Sequence, residues 1–78
     1  MKEKTRVYNR IKAVMVDKRK SREDLVKATG KGERMVTRYL TNEVQPPISV
    51  LFEIAVYLGV QVADLLVSAT DPPVYIED

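Results

Sequence analysis

Apolar residues along this chain recur at helical spacing from one end to the other. Within Arg6 to Lys18, Val7, Ile11 and Val14 fall on one face of a first helix. Ser21 then stands ahead of Arg22-Glu23-Asp24 and Leu25-Val26. A serine that caps free amide groups, followed by acids in the first turn, marks the start of a second helix. Gly30 supplies the left-handed residue that ends it. After Gly30-Lys31-Gly32 a third helix runs from about Glu33 to Leu40, with Val36, Tyr39 and Leu40 on one side. Asn42 to Pro47 is a loop whose two prolines can begin a helix but not continue one. Ile48, Leu51, Ile54, Ala55 and Leu58 form a fourth stripe, stopped by Gly59, and Val60 to Val67 reads as a short fifth helix. Asp71-Pro72-Pro73 breaks any continuation. The expectation is an all-α protein: one compact five-helix domain over residues 6–68, between a basic N-terminal tail (1–5) and a C-terminal tail (69–78). Its expected core is Ile11, Val14, Leu25, Val36, Tyr39, Leu40, Leu51, Ile54, Ala55, Leu58 and Leu65.

Composition narrows the classes. Seventy-eight residues, 45% hydrophobic and 31% charged, fit one ordered domain. No stretch approaches the roughly 18 apolar residues of a membrane span, and the start lacks the apolar region of a signal peptide, so a cytoplasmic location is expected. The chain has neither cysteine nor histidine. Disulfides and thiol chemistry are excluded, and the commonest acid–base group and metal ligand are missing. No paired catalytic carboxylates, nucleophile–base pair or phosphate loop stands at a credible spacing. The chain is therefore not expected to be an enzyme or to carry a metal or cofactor.

The net charge of +2 conceals an asymmetry. All thirteen Lys and Arg lie between Lys2 and Arg38, against five acids, which leaves +8; from Tyr39 onward there are six acids and no base. A chain polarised in this way can turn one face to a polyanion and keep the other away from it.

Two helices joined by about three residues with a glycine in the turn make a helix-turn-helix, whose second helix enters the major groove of DNA. More specifically, Asn9-Arg10-Ile11-Lys12, Ser21, Glu23, Leu25, Gly30, Val36, Arg38, Pro46, Leu51, Ile54-Ala55, Leu58-Gly59-Val60 and Asp64-Leu65-Leu66 follow one another at the spacing of a known family. From Asn9 to Leu66 the sequence resembles the lambda-repressor-like (XRE/Cro-type) helix-turn-helix DNA-binding family, with the motif at about 22–41. The resemblance implies binding to operator DNA as a symmetric dimer and regulation of transcription in bacteria, phages or mobile elements. It departs from the family pattern in several places. Arg22 stands where the family usually has a phosphate-binding Gln, and Val26 replaces a small Ala where the two helices cross. Lys20 replaces a leucine, and Thr41-Asn42 replaces Asn-Gly, although asparagine can still take the left-handed turn.

On a helical wheel, Arg34, Thr37, Arg38 and Thr41 lie opposite Val36, Tyr39 and Leu40, with Glu33 at the flank. Glu33, Arg34, Thr37 and Arg38 are the candidate base-reading residues; either arginine can grip guanine O6 and N7, or hold a phosphate. A carboxylate near phosphates needs compensation, and several remain open to Glu33: a bond from cytosine N4, a pair with an arginine, or simply its place at a helix N-terminus. Arg10, Arg22, Lys27, Lys31, Gly32 and Thr41 are the candidate phosphate contacts, with Lys12 an alternative to Arg10, and Lys2 to Arg6 is either a basic arm or a frayed end.

Apolar residues outside the core stripes, Met15, Val16, Val56, Tyr57, Val62 and Val67, are candidates for a dimer surface. Val74-Tyr75-Ile76 pairs across a dimer, docks on its own domain, or is disordered. The expected partner is palindromic double-stranded operator DNA, bound as a homodimer by a regulator that represses rather than activates. The alternative is an antitoxin or other protein-interaction module on the same fold, suggested by the acidic second half.

Overall fold

The backbone N–H groups of Val7, Tyr8 and Asn9 are all taken by acceptors far along the chain, and this decides where the first helix begins. In a computed structural model, which describes residues 4–77, Val7 donates to the carbonyl of Val74 at 2.8 Å. Tyr8 and Asn9 both donate to Asn42 Oδ1 at 2.9 Å. With those donors engaged the segment stays extended, and helix α1 spans only Ile11–Asp17. The expected start at Arg6 is therefore corrected, and Val7 is not part of a helical stripe.

Helices α2 (Arg22–Thr29), α3 (Glu33–Leu40) and α4 (Ile48–Leu58) follow. Ser21 accepts from the Asp24 amide, and the Asp24 carboxylate accepts from the Ser21 amide at 2.8 Å, so the two caps are reciprocal. Gly30, at φ 70°, closes α2 in the left-handed conformation, its N–H on the Val26 carbonyl. Gly59 closes α4 in the same way.

The fifth helix expected over Val60 to Val67 is a single 3-10 turn, Val62–Leu65. The described residues form four α-helices, not five. The turn seats Leu65 in the core with no exposure; Leu66 is then extended and bridges to Asn9, while Val67 donates to the Tyr8 carbonyl at 3.0 Å. Pairing with the N-terminal segment stops the helix after one turn. Nor is the chain purely helical. Strand β1 (Lys4–Arg6) pairs antiparallel with β2 (Tyr75–Glu77), in the register Thr5 opposite Ile76. Of the basic segment read as an arm or frayed end, Lys4 to Arg6 forms one side of this ribbon. Lys2 and Glu3, like Met1 and Asp78, lie outside the described residues.

The core joins Ile11, Val14 and Met15 of α1 to Leu25 of α2, Val36 and Tyr39 of α3, five residues of α4 and Leu65. Met15 and Val50 are buried members of it, although the periodicity left Val50 out and placed Met15 beyond the stripe. Leu40 is half-buried against its edge. Ile48, counted in the α4 stripe, is 66% exposed at the first helical position.

Among the described residues two polar side chains are buried with this core, Asn9 at 2% exposure and Asn42 at 7%. Besides accepting from Tyr8 and Asn9, Asn42 donates through Nδ2 to the Asn9 carbonyl at 3.1 Å. Asn9 Nδ2 in return donates to the Tyr39 carbonyl at 3.1 Å and to Gln45 Oε1 at 2.7 Å, and Asn9 Oδ1 accepts from the Ile11 amide. The clasp ties the end of α3 to the entry of α1, and it requires Asn42 to sit at φ 63°.

Replacing Asn42 with Ala strands the Tyr8 and Asn9 amides and the Asn9 carbonyl, and forces alanine into the left-handed region. Urea denaturation should show a loss of about 2–4 kcal/mol. Among the described residues Arg19 is the other non-glycine residue at positive φ, 56°, just past α1. The Lys20 amide closes that end on the Met15 carbonyl at 2.9 Å. Arg19→Gly removes the steric cost but adds chain entropy, and should raise stability by about 0.5–1 kcal/mol in the same assay.

Candidate nucleic-acid interface

Helix α3 has one side in the core and the other on the surface. Val36 and Tyr39 are buried, whereas Glu33 and Arg34 are exposed and Thr37 and Arg38 half-buried. Glu33, Arg34, Thr37 and Arg38, with Glu43 from the following loop, line a shallow concavity of about 540 Å³. All four candidate base readers therefore share one recess. Among the described residues the Arg34 guanidinium has no ion pair or hydrogen bond. Arg38 Nε lies 3.4 Å from Glu43 Oε1, but it is buried and not aligned for a hydrogen bond, so the contact is one of charge. Glu43 went unnoticed in the sequence because it lies in a loop, off the helical wheel.

Arg22, at the start of α2, reaches across to α3. Its Nη2 is 2.7 Å from Glu33 Oε1, and its Nη1 donates to Thr37 Oγ1 at 3.1 Å. Of the compensations open to Glu33, the pair with an arginine is present, and Glu33 is also the first residue of its helix. The two side chains are 41% and 63% exposed, so the pair contributes less than about 1 kcal/mol to stability. Its main effect is on charge and geometry at the surface of α3.

A second recess, about 280 Å³, opens between α1 and α3, where Lys12, Lys20, Arg22, Thr37 and Thr41 surround Met15, Val16 and Leu40. Thr41 ends α3 and its hydroxyl donates to the Arg38 carbonyl at 3.2 Å. Lys20 also sits 5.3 Å from the ring centroid of Tyr57, a cation–π contact between the α1–α2 loop and α4. Gly32 is the N-terminal flank of α3, extended at φ −66°. Arg10, Lys27 and Lys31 are exposed and line neither recess.

The motif geometry is that of two helices joined by a three-residue turn, the second presenting a polar face. The model of the Cro/C1-type helix-turn-helix DNA-binding domain matches residues 10–71. The chain belongs to this family. Its fold also resembles the crystal structure of a putative DNA-binding protein from Bacteroides fragilis, at 30% identity and a TM-score of 0.73, over 82% of this chain and 98% of that one. No curated protein gives a significant match. DNA binding is thus the family activity, with double-stranded DNA as the partner. Among the described residues no helix is long and apolar enough to cross a membrane.

The cap of α2 has a measurable signature. The backbone and side-chain hydrogen bonds from Ser21 hold the Asp24 carboxyl below the usual carboxylate range, with Lys20 and Lys27 adding to the effect. The folded pKa lies below the unfolded one, so the cap's contribution is present above about pH 4 and lost as pH falls through the lower folded value. NMR titration should place Asp24 below ordinary aspartates in the wild type and return it toward them in Ser21→Ala.

Proposed function

We propose that this chain is a sequence-specific regulator of transcription, a repressor rather than an activator, that binds palindromic operators as a homodimer. The observation that carries the reading is Arg34, an exposed guanidinium with no partner among the described residues, on the polar face of the helix that the motif presents to the major groove. A group left unsatisfied by its own protein is free to take up the O6 and N7 acceptors of guanine. Arg38, Thr37 and Glu33 in the same recess complete the base-reading set.

Phosphate contacts come from Lys27, Lys31 and Arg10, from the Gly32 backbone amide, from Thr41, and from the remaining hydrogens on the terminal nitrogens of Arg22. Lys12 and Lys20, which share the second recess with Arg22, add to them. The +8 charge of the first 38 residues supplies the sequence-independent attraction. Repression follows most simply, since occupying a groove excludes other proteins without any further contact. For the dimer, α4 offers a mainly apolar face in which Phe52, Val56 and Tyr57, with Ala28 and Glu53, line a concavity of about 450 Å³, and Val56 is 79% exposed. Phe52, Val56 and Tyr57 belong to the half of the chain without a single lysine or arginine, with Lys20 against Tyr57 at the edge of the face, so a second copy can cover its α4 side away from the proposed reading face of α3.

Arg34→Ala should weaken binding to a selected operator by about tenfold or more and relax the preference for guanine. Lys27→Ala should instead weaken binding to all duplexes alike and lower the slope of log K against log salt by about one. Equal effects of the two substitutions on cognate and random duplexes would overturn the assignment of the reading face. Val56→Arg should shift sedimentation of the free protein, or of its operator complex, from dimer to monomer.

A further inference from the structure

A carboxylate on a DNA-facing surface is normally a liability, because phosphates repel it. Here the liability is removed by the chain's own Arg22. One guanidinium holds Glu33 Oε1 at 2.7 Å through Nη2 and Thr37 Oγ1 at 3.1 Å through Nη1, while its Nε is buried without a partner. Arg22 is thus fixed across the α2–α3 gap. It neutralises Glu33 and restricts the carboxylate to one side of the α3 entrance. The contact runs through Oε1, which leaves lone pairs on the second carboxylate oxygen, Oε2, for a further donor. Thr37, one helical turn further on, uses its oxygen to accept from Arg22, so its hydroxyl hydrogen is free to be donated. The two residues therefore present a defined pair to the groove: an acceptor at 33 and a donor at 37.

We infer that Glu33, positioned and neutralised by Arg22, reads a cytosine in each half-site through its free Oε2. This rests on the proposal that α3 enters the major groove. The choice among bases follows from what each displays there. Cytosine offers its N4 amino group with no acceptor beside it, adenine places the N7 acceptor next to its N6 donor, and guanine and thymine offer acceptors that repel a carboxylate. An acceptor-only group that has lost its net charge to an internal arginine selects cytosine over all three. Arg22 is a positioning residue in this scheme, since it acts on the base through Glu33.

Sequences selected from random duplexes by the full chain test the inference. Wild type should enrich one cytosine per half-site, and Glu33→Gln, which keeps the shape but adds an amide donor, should lose that preference by about tenfold while leaving the other positions unchanged. Arg22→Met should lose the same cytosine and no other base. A phosphate contact or a merely structural role for Arg22 lowers affinity for all sequences alike and leaves the cytosine preference in place. Circular dichroism of both variants checks that they fold, as expected for exposed and half-buried positions. If Glu33→Gln selects the same bases as wild type, Glu33 does not read cytosine, although sequence-specific binding stands. If Arg22→Met retains the cytosine, the coupling is overturned. If wild type enriches no sequence at all, sequence-specific reading itself fails and the inference falls with it.

Discussion

The position of the recognition helix depends on a clasp between two buried asparagines. Asn42 Oδ1 accepts from two consecutive amides, Tyr8 and Asn9, and Asn9 sends its own amide group to the Tyr39 carbonyl and to Gln45. Every one of these bonds joins parts of the chain at least 30 residues apart. Buried amide groups have few alternatives inside a core, so the geometry is narrow where apolar packing alone would tolerate small slides. The clasp sets where α3 ends and where α1 starts in a single step. It also explains the left-handed residue just past α3: only there can the Asn42 side chain turn back under the N-terminal segment.

At its other end α3 is held by a different kind of interaction. Arg22 touches both Glu33 and Thr37, one turn apart on the same helix, and so fixes rotation about the axis as well as the separation from α2. Between these two ends Val36 and Tyr39 anchor the helix in the core. Exposed ion pairs contribute little to stability, whereas stranding buried amides is costly. Of the two polar ties, the asparagine clasp therefore matters more to stability, and the arginine bridge is free to serve the surface.

The sequence made the middle of the fold legible because its signals are local. Ser21 with Asp24, Gly30, Pro47 and Gly59 mark the ends of α2 and α4 within a few residues of where they act. The ends of the chain were illegible for the opposite reason. The amides of Val7, Tyr8 and Asn9 look available to a helix until Val74 and Asn42 take them, and Leu66 looks helical until it bridges to Asn9. The terminal ribbon likewise pairs Thr5 with Ile76, which no periodicity within either segment announces. At the site, wheel geometry placed Arg34 and Thr37 on the polar side of α3, but it could not choose among the fates of Glu33. That choice depends on Arg22, eleven residues earlier and on another helix, and on Arg22 being a residue long enough to span the gap.

A helix pinned at both ends and in its middle meets its target as a rigid body, and this constrains how discrimination can arise. Such a helix cannot shift to improve a poor fit, so the ordering cost of binding falls on the few side chains that remain free. Of the four proposed readers, Arg34 has no partner among the described residues, Thr37 and Glu33 are held by Arg22, and Arg38 lies against Glu43. Preorganised groups lose less entropy on binding and punish a mismatched base more severely, because a fixed acceptor facing another acceptor cannot turn away. Arg34 can adapt to guanine or phosphate, whereas Glu33 and Thr37, restrained by Arg22, adapt less readily. In the proposed reading, the restrained pair therefore adds selectivity at its own base to the selectivity that Arg34 brings at guanine.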